Sequence, residues 1–329
     1  MTVTENTFAD TWTVRQATSL DYPHIADFLA TTTGLGGRKF AADSRDVAEQ
    51  LDGALPGAAV VLRGESGDVL GYAALHGPDT EEPEALGTFV FGPSAPVEAV
   101  RDIVGETVEH FHSAATPGSY LRVYIGADQP AAIAALVDRG ARRERRFVST
   151  RKSLLGEDPE QLAAAHIDGL TILSWGQVIS GGLGEQVRRL QYDTFSEHFG
   201  NMAKTPQRWD HHLHSRAFTP DYSLAAVDRD GVVVGYVLGS TYTVRTERGD
   251  QRSAHTDYIG VRRDRRERGT GELLLKKIWL AALRRGFTAA SLGTDINNAS
   301  NAHVLYRRLG YVAVHDEYAY RIDAEGNGK

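Results

Sequence analysis

The sequence contains no cysteine, and this absence excludes several kinds of chemistry at once. Without cysteine there is no disulfide, no thiolate metal ligand and no cysteine nucleophile. Long apolar runs are missing too, since no stretch approaches the ~20 residues that a membrane-spanning helix needs. The segment Met1 to Trp12 is acidic and polar where a signal peptide has a basic start and an apolar stretch. We therefore expect a cytoplasmic protein without a membrane partner.

The sequence also lacks an excess of positive charge. Its 329 residues include 36 Lys and Arg against 43 Asp and Glu, a formal net charge of -7. Because binding to phosphate backbones requires a basic surface, this balance argues against a nucleic-acid partner, although it permits a local basic pocket. The 41% hydrophobic and 24% charged fractions are ordinary for a globular protein, and the length favours two domains.

The two halves of the chain repeat one pattern. The stretch 67–72 parallels 231–236, and a helix that ends at Gly140 parallels one that ends at Gly310, an offset of 310 − 140 = 170 residues. A repeat of this size indicates duplication rather than a solenoid, whose units run ~20–50 residues. Strand and helix patterns within each half predict an α/β fold in which helices cover a sheet. The predicted domains span residues 1–155 and 169–323.

A loop rich in glycine and arginine is the sharpest local feature. It runs from Arg262 to Gly271, between a strand predicted to end at Val261 and a helix predicted over 271–285. Gly269 and Gly271 let the backbone approach a ligand and expose N–H groups, and the helix adds the positive end of its dipole. Since the arginines supply further charge, the loop predicts a pyrophosphate site.

The spacing of this loop resembles the Arg/Gln-x-x-Gly-x-Gly/Ala motif of the GNAT superfamily of acyl-CoA-dependent N-acyltransferases. Arg266, Gly269 and Gly271 fill its fixed positions, whereas Glu267 stands where relatives often carry glycine. The segment 298–311 is similar to a later block of the family, with its Asn, its Leu-Tyr pair and its Gly-aromatic pair. The resemblance implies two tandem GNAT-like domains, each a mixed central β-sheet flanked by helices, in a layout similar to that of mycothiol synthase.

The resemblance also implies an acetyl-CoA site in the second domain. The backbone of 259–261 would pair with the pantetheine arm, and Asn298 would lie near the pantetheine or the thioester. Tyr306 would protonate the departing CoA thiolate. Judged by themselves, Asn298 could be a turn residue or helix cap and Tyr306 a packing residue. The predicted cofactor contacts are Ile259, Gly260, Val261, Arg266, Glu267, Arg268, Gly269, Thr270, Gly271, Asn298 and Tyr306.

The amine substrate must lose a proton before it attacks the thioester, and the strand before the loop is where we expect the base. His255, Asp257, Ile259 and Val261 alternate to one face of that strand by its period of two. Histidine has a suitable unperturbed pKa, ~6.5, and Asp257 could order a water or bind the ammonium. The alternative is that both are merely polar residues on a partly wet strand. No metal is expected, because the histidines of 211–214 lack a distant further ligand.

The first domain lacks this machinery. At the offset of 170 residues, the positions that carry the motif arginine, its two glycines and the tyrosine hold Pro96, Ala99, Arg101 and Leu136. We therefore predict a degenerate GNAT-like domain that does not bind acetyl-CoA.

The sequence thus predicts an acetyl-CoA-dependent N-acetyltransferase that acts on a primary amine by direct attack. The expected acceptor is a small metabolite or antibiotic amine. The alternatives are acetylation of a protein lysine or N-terminus, an acyl-CoA sensor without turnover, and a nucleic-acid binder that uses the basic stretch 262–268. Retention of Tyr306 argues against the sensor, and the net charge and the glycines argue against the nucleic-acid binder.

Overall fold

The structure is a computed structural model that describes residues 12–32, 43–78, 83–196, 198–200, 202–246, 249–298 and 301–324, and for 242–250 the backbone alone. The strands within these ranges are β1 (Trp12–Gln16), β2 (Ala59–Gly64), β3 (Val69–His76), β4 (Glu84–Phe91), β5 (Tyr120–Gly126), β6 (Arg142–Ser153), β7 (Thr171–Ser174), β8 (Leu224–Val227), β9 (Val233–Thr246), β10 (Gly249–Val261), β11 (Ala289–Asp295) and β12 (Val312–Asp323). The α-helices are α1 (Tyr22–Thr31), α2 (Ser44–Leu51), α3 (Val97–Ala114), α4 (Pro130–Asp138), α5 (Pro159–Ala164), α6 (Trp175–Ser180), α7 (Gly184–Phe195), α8 (Pro206–His214), α9 (Thr270–Arg284) and α10 (Ala302–Arg308). None of these helices is long and apolar enough to cross a membrane.

The chain forms two compact units. Unit 1 combines Met1–Phe147 with His315–Lys329, and unit 2 is Val148–Val314. Strand β6 therefore begins in unit 1 and ends in unit 2, and most of β12 belongs to unit 1. The domain limits 1–155 and 169–323 stay a prediction, to which the contacts add that the C-terminal strand belongs with the first half.

Unit 1 is built on a mixed sheet with the strand order β1-β2-β3-β4-β5-β12-β6. Strands β4 and β5 run parallel, and the pairs β1–β2, β2–β3, β3–β4 and β5–β12 run antiparallel. Because neighbouring strand residues point to opposite faces, Tyr72 and Ala73 belong to different core clusters. Helices α3 and α4 cover one face, where Leu136 is buried, and α1 and α2 cover the other, where Ile25 is buried.

Unit 2 repeats this plan with the strand order β6-β11-β10-β9-β8-β7. Strands β10 and β11 run parallel, and the pairs β9–β10, β8–β9 and β7–β8 run antiparallel. Helix α9 buries Leu275, Ile278 and Trp279 against one face, because residues three and four apart share one side of a helix. Helices α6, α7 and α8 cover the other face through Trp175 and Trp209. The predicted fold class, a mixed sheet flanked by helices, is confirmed in each unit.

Candidate active site

Two parallel strands of unit 2 separate partway along their length. The pairing of β10 with β11 runs from Ser253 opposite Ala289 to Thr256 opposite Leu292, whereas β10 continues to Val261. Beyond Thr256, the edge of β10 that faced β11 has no register partner on that strand. A strand edge of this kind can pair with an extended ligand through its N–H and C=O groups. The separation therefore provides a place for a linear, amide-containing molecule.

A β-bulge at Asp257 coincides with this separation. The register of β10 against β9 shifts between Thr256 and Tyr258, so strict alternation along the strand is lost. Ala254 and Ile259, five residues apart, both pack on the core cluster under α9. The expectation that residues 255, 257, 259 and 261 share one face is therefore wrong, because the extra residue of the bulge reverses the side that follows it.

His255 and Asp257 nevertheless come together. The Nε2 atom of His255 lies 3.9 Å from Oδ1 of Asp257, and its Nδ1 atom lies 2.9 Å from Oγ of Ser291. The hydroxyl of Ser240 donates to the other carboxylate oxygen of Asp257. Only 7% of the His255 side chain and 12% of the Asp257 side chain are exposed. The two predicted base candidates thus form one buried polar cluster beside the strand separation.

The predicted phosphate loop leads from the open end of β10 into the uncapped N-terminus of α9. A 3-10 turn, Arg263–Arg265, is followed by two residues with left-handed backbone, Glu267 at φ 61° and Gly269 at φ 82°. No side chain caps α9, and its first internal bond is from the Leu273 N–H to the Gly269 carbonyl. Since the N–H groups before Leu273 have no carbonyl to bind within the helix, they form an anion site with the helix dipole behind it.

The arginines of this loop divide into two groups. Arg262 binds Asp264 through two bonds of 2.7 and 3.0 Å, and Arg265 lies 3.1 Å from Asp228, so these charges are paired. Arg266 donates from Nε to the carbonyl of Val261 at 3.1 Å. Neither Arg266 nor the exposed Arg268 forms an ion pair with an acidic residue in the described part of the chain. These two arginines therefore keep their charge for a bound anion.

Tyr306, on α10, is buried in the core cluster of unit 2 beside Tyr236 of β9. No described residue forms a hydrogen bond with its hydroxyl, whereas the Tyr236 hydroxyl lies 3.0 Å from Thr194 Oγ1. Burial raises the pKa of Tyr306 to about 12. Gly260 makes this arrangement possible, because a Cβ there would lie 2.5 Å from the Tyr236 ring and 2.6 Å from the Thr194 hydroxyl.

A cleft of about 590 Å³ adjoins the first turn of α9 and is lined by Asn301, Val304, Leu305 and Arg308 of α10 and the residue before it. Arg308 binds Glu272 at 2.9 Å. Because a Cβ at Gly271 would lie 3.9 Å from Leu305, the cleft and the anion site share a border.

Asn298 lies beyond the end of β11, with its side-chain nitrogen 3.1 Å from Nδ1 of His198. Phe195 stacks on His198 at 4.3 Å between ring centroids. The sequence interpretation did not single out His198, Tyr236 or Thr194 as site residues. These residues carry no sequence motif, because they reach the site only through the packing of α7 and its following segment on the sheet.

The part of the chain that contains this loop, cleft and tyrosine matches a known family. Residues 185–311 match the acetyltransferase (GNAT) family. They are a GNAT acetyltransferase domain. The GNAT domain makes the chain an acyltransferase, with acyl-CoA-dependent N-acetyltransferase activity as its general reaction.

Solved structures extend the likeness beyond the GNAT domain to nearly the whole chain. A GCN5-related N-acetyltransferase from Sphaerobacter thermophilus is 23% identical, with a TM-score of 0.70, over 98% of this chain and 99% of that one. A tandem GNAT protein from the clavulanic acid biosynthesis pathway is 18% identical, with a TM-score of 0.67, over 96% of this chain and 100% of that one. An N-myristoyltransferase from Saccharomyces cerevisiae, solved with bound myristoyl-CoA, is 10% identical, with a TM-score of 0.62, over 99% and 82%. At these identities the likeness establishes the fold. No curated protein matches the sequence.

Proposed function

We propose that the chain transfers an acetyl group from acetyl-CoA to the primary amine of a small molecule. The reaction takes place where β10 and β11 separate. One observation carries this proposal: an open strand edge, an uncapped helix N-terminus and a buried tyrosine hydroxyl meet in one unit. Each matches one part of acetyl-CoA, namely the pantetheine amides, the pyrophosphate and the thioester sulfur.

The cofactor would follow the open edge of β10. The backbone of Ile259, Gly260 and Val261 would bind the pantetheine, and the residues from Arg266 through Glu267, Arg268, Gly269 and Thr270 to Gly271 would hold the pyrophosphate. Asn298 lies where the strands have separated and would contact the pantetheine or the thioester. Backbone N–H groups at the open edge would polarise the thioester carbonyl.

The reaction would proceed by direct attack. The cluster of His255 and Asp257 takes a proton from the ammonium, and the free amine then attacks the carbonyl carbon. As the C–N bond forms and the C–S bond breaks, the hydroxyl of Tyr306 gives its proton to the CoA sulfur. The nitrogen, cationic after the attack, then loses its second proton, and the return of one proton to the tyrosinate restores the phenol. Because burial raises the pKa of Tyr306 to about 12, the phenol is protonated at neutral pH and able to donate.

Features of unit 1 support the proposal that the chain has one cofactor site, which lies in unit 2. There too β4 and β5 pair in parallel for four residues, from Glu84 opposite Tyr120 to Gly87 opposite Val123. The edge of Phe91 is closed, since the side-chain amide of Gln129 accepts from its N–H and donates to its carbonyl, both at 3.0 Å.

The loop before α3 is also shorter than its counterpart in unit 2. It spans five residues, 92–96, against eight in 262–269, and none of the five has positive φ. With a closed strand edge and no glycine turn, unit 1 offers neither the pantetheine edge nor the phosphate loop.

A small acceptor is favoured over a protein lysine because the proposed base cluster is buried. The test is a library of amines and lysine peptides incubated with acetyl-CoA, in which a thiol reagent detects released CoA. We expect release with one class of small amine and none without acceptor. Release with peptides alone would replace the small-molecule acceptor by a protein. Tight acetyl-CoA binding without release for any amine would indicate the sensor instead.

A further inference from the structure

A lysine without a carboxylate partner lies against the tyrosine that follows the β-bulge. The Nζ atom of Lys204 is 5.1 Å from the centroid of the Tyr258 ring, and no acidic residue in the described ranges lies within ion-pair distance of it. Burial and Arg208 lower the pKa of Lys204, and Asp257 opposes them. An ammonium group removed from water is unfavourable unless a counter-charge approaches it. The position therefore favours a bound anion.

The backbone of Lys204 is held in place. Its N–H donates to Oε1 of Gln191 at 2.7 Å, and its carbonyl accepts from Arg188 at 3.4 Å. Gln191, fully buried on α7, also donates to the carbonyl of Met202 at 2.8 Å. The segment before α8 is thus anchored to α7, and this anchoring holds Lys204 beside Tyr258.

A second unsatisfied group lies on the same ring. His212 of α8 packs edge-on against Tyr258, with 5.3 Å between ring centroids and an angle of 88°. Its Nε2 atom is buried and has no hydrogen-bond partner among the described residues. Burial, followed by Lys204 and His211, lowers the pKa of His212 to about 4, so the ring is neutral at pH 7. A neutral imidazole donates from one ring nitrogen and accepts at the other, so in the tautomer that is protonated at Nε2 this N–H can donate to an acceptor on a ligand.

The polar groups around Tyr258 are therefore of two kinds. Lys204 and His212 offer a cation and a donor at Tyr258, and Asp257, the preceding residue, is close enough to Lys204 to act on its pKa. We propose that Lys204 and His212 bind a carboxylate of the acceptor while Asp257 receives its ammonium group, so that the acceptor is an amino acid or a related amino-carboxylate. This inference rests on the proposed N-acetyltransferase function. The carboxylate takes no part in the reaction. The N–C bond forms and the C–S bond breaks, whereas both carboxylate oxygens are unchanged.

The experiment compares matched pairs of acceptors, each an amino acid and the amine that remains when its carboxylate is removed. Wild-type protein should favour the amino acid in kcat/KM. Lys204→Met keeps the apolar stem and removes the charge, and should reduce that preference about 10–100-fold, as the loss of a charged hydrogen bond does. The loss should appear in KM for the amino acid. Lys204→Arg should restore most of the preference, and His212→Phe, which keeps the aromatic packing, should reduce it about 10-fold.

Lys277→Met is the matched control. Lys277 is also a lysine of unit 2, and its Nζ atom donates to the carbonyls of Leu162 and Ala163. Its replacement changes the same atoms elsewhere, so the preference for the amino acid should stay at the wild-type value.

The outcomes separate this inference from the proposed function. Acetylation of the decarboxylated amines as fast as, or faster than, the amino acids by wild-type protein would reject the carboxylate site and leave the N-acetyltransferase function standing. An unchanged preference in Lys204→Met would reject it as well. If no member of any pair is acetylated while acetyl-CoA still binds, the proposed function and this inference fail together.

Discussion

At the scale of single residues, burial decides what the tyrosine of α10 can contribute. Tyr306 is 8% exposed, and its hydroxyl has no hydrogen-bond partner among the described residues. A raised pKa favours the protonated phenol, so the group remains a proton donor across the neutral range and into alkaline solution. A buried hydroxyl that is protonated and unsatisfied is suited to a sulfur on which negative charge develops late in the reaction.

We expect Tyr306→Phe to keep its acetyl-CoA affinity and lose about 10²–10⁴-fold in kcat. The thioester sulfur is a poor acceptor in the ground state, so the hydroxyl matters only as the thiolate forms. Since a thiolate leaves unaided near its own pKa, ~8.5, the defect should shrink as the pH rises toward that value. Steady-state kinetics from neutral to alkaline pH measure both effects.

The matched control is Tyr311→Phe in the same core cluster. The Tyr311 hydroxyl accepts from Nε1 of Trp279 at 2.9 Å, and its ring lies 6.1 Å from that of Tyr306. Removing this hydroxyl should lower the free energy of unfolding by about 1 kcal/mol without reducing kcat by more than a few-fold. Wild-type kcat in Tyr306→Phe at every pH would make Tyr306 a packing residue.

A second residue-scale prediction concerns Glu267, which has φ 61° where non-glycine residues are strained. It is also an acidic side chain in a loop proposed to bind pyrophosphate. Glu267→Gly should raise the free energy of unfolding by about 1 kcal/mol and lower the Kd for acetyl-CoA several-fold. Glu267→Gln removes only the charge, so it should lower the Kd without the gain in stability. Chemical denaturation and calorimetry distinguish the two effects, and a weaker Kd in both variants would contradict the position of the pyrophosphate.

At the scale of elements, the site depends on how one strand and one helix end. The bulge at Asp257 places this carboxylate beside His255, although the two would have been separated by a full strand repeat. Where β10 ends, the chain needs two left-handed residues to enter α9 with the N–H groups of its first turn exposed. Substitutions in this loop should therefore change anion binding at the N-terminus of α9.

Gly271→Glu tests whether the N-terminus of α9 binds the pyrophosphate. A Cβ at this position meets Leu305 and Val261 at 3.9 Å, an ordinary contact, and Gly271 has no positive φ, so the variant should fold. The new carboxylate would stand where the pyrophosphate binds, and acetyl-CoA binding should be lost. Gly271→Gln has nearly the same volume without the charge and should weaken binding less. Calorimetry and thermal unfolding measure the two properties, and unchanged affinity in Gly271→Glu would show that the pyrophosphate lies elsewhere.

At the scale of the whole molecule, duplication has produced two units of one plan with different strand edges. In unit 2 the β10 edge is open beyond Thr256, whereas in unit 1 Gln129 closes the corresponding edge at Phe91. The two positions correspond because Val261 pairs with Gly235 as Phe91 pairs with Gly71. The difference is local, and the surrounding sheet and helix order is conserved between the units.

We therefore expect one acetyl-CoA per chain. Calorimetry on the full chain should give a stoichiometry near one, and Gly271→Glu in the same experiment should remove the heat of binding entirely. Two sites of similar affinity would contradict the prediction that unit 1 is degenerate. Binding of one equivalent by Gly271→Glu would show that the site lies in unit 1.

The hydrophobic periodicity of the sequence and the glycines that end helices were sufficient to predict several of the elements. Helix α9 was predicted within a residue of its bounds because apolar positions and Gly286 mark it. The strand before the loop was predicted only around residues 255–261, although β10 begins at Gly249, because the polar residues before it resemble a loop. Helix α5 lies between the two predicted domains, where Gly156, Pro159 and a weak hydrophobic pattern predicted a linker.

The sequence by itself determined the duplication, the mixed α/β plan and the glycine-arginine loop, because each of these is local or repeats along the chain. Tertiary structure alone decided the bulge that unites His255 with Asp257, the closure of Phe91 by Gln129, and the position of Lys204 on Tyr258. These depend on register and on contacts between distant segments. A one-residue shift in strand pairing leaves composition and periodicity unchanged while it reverses which side chains meet.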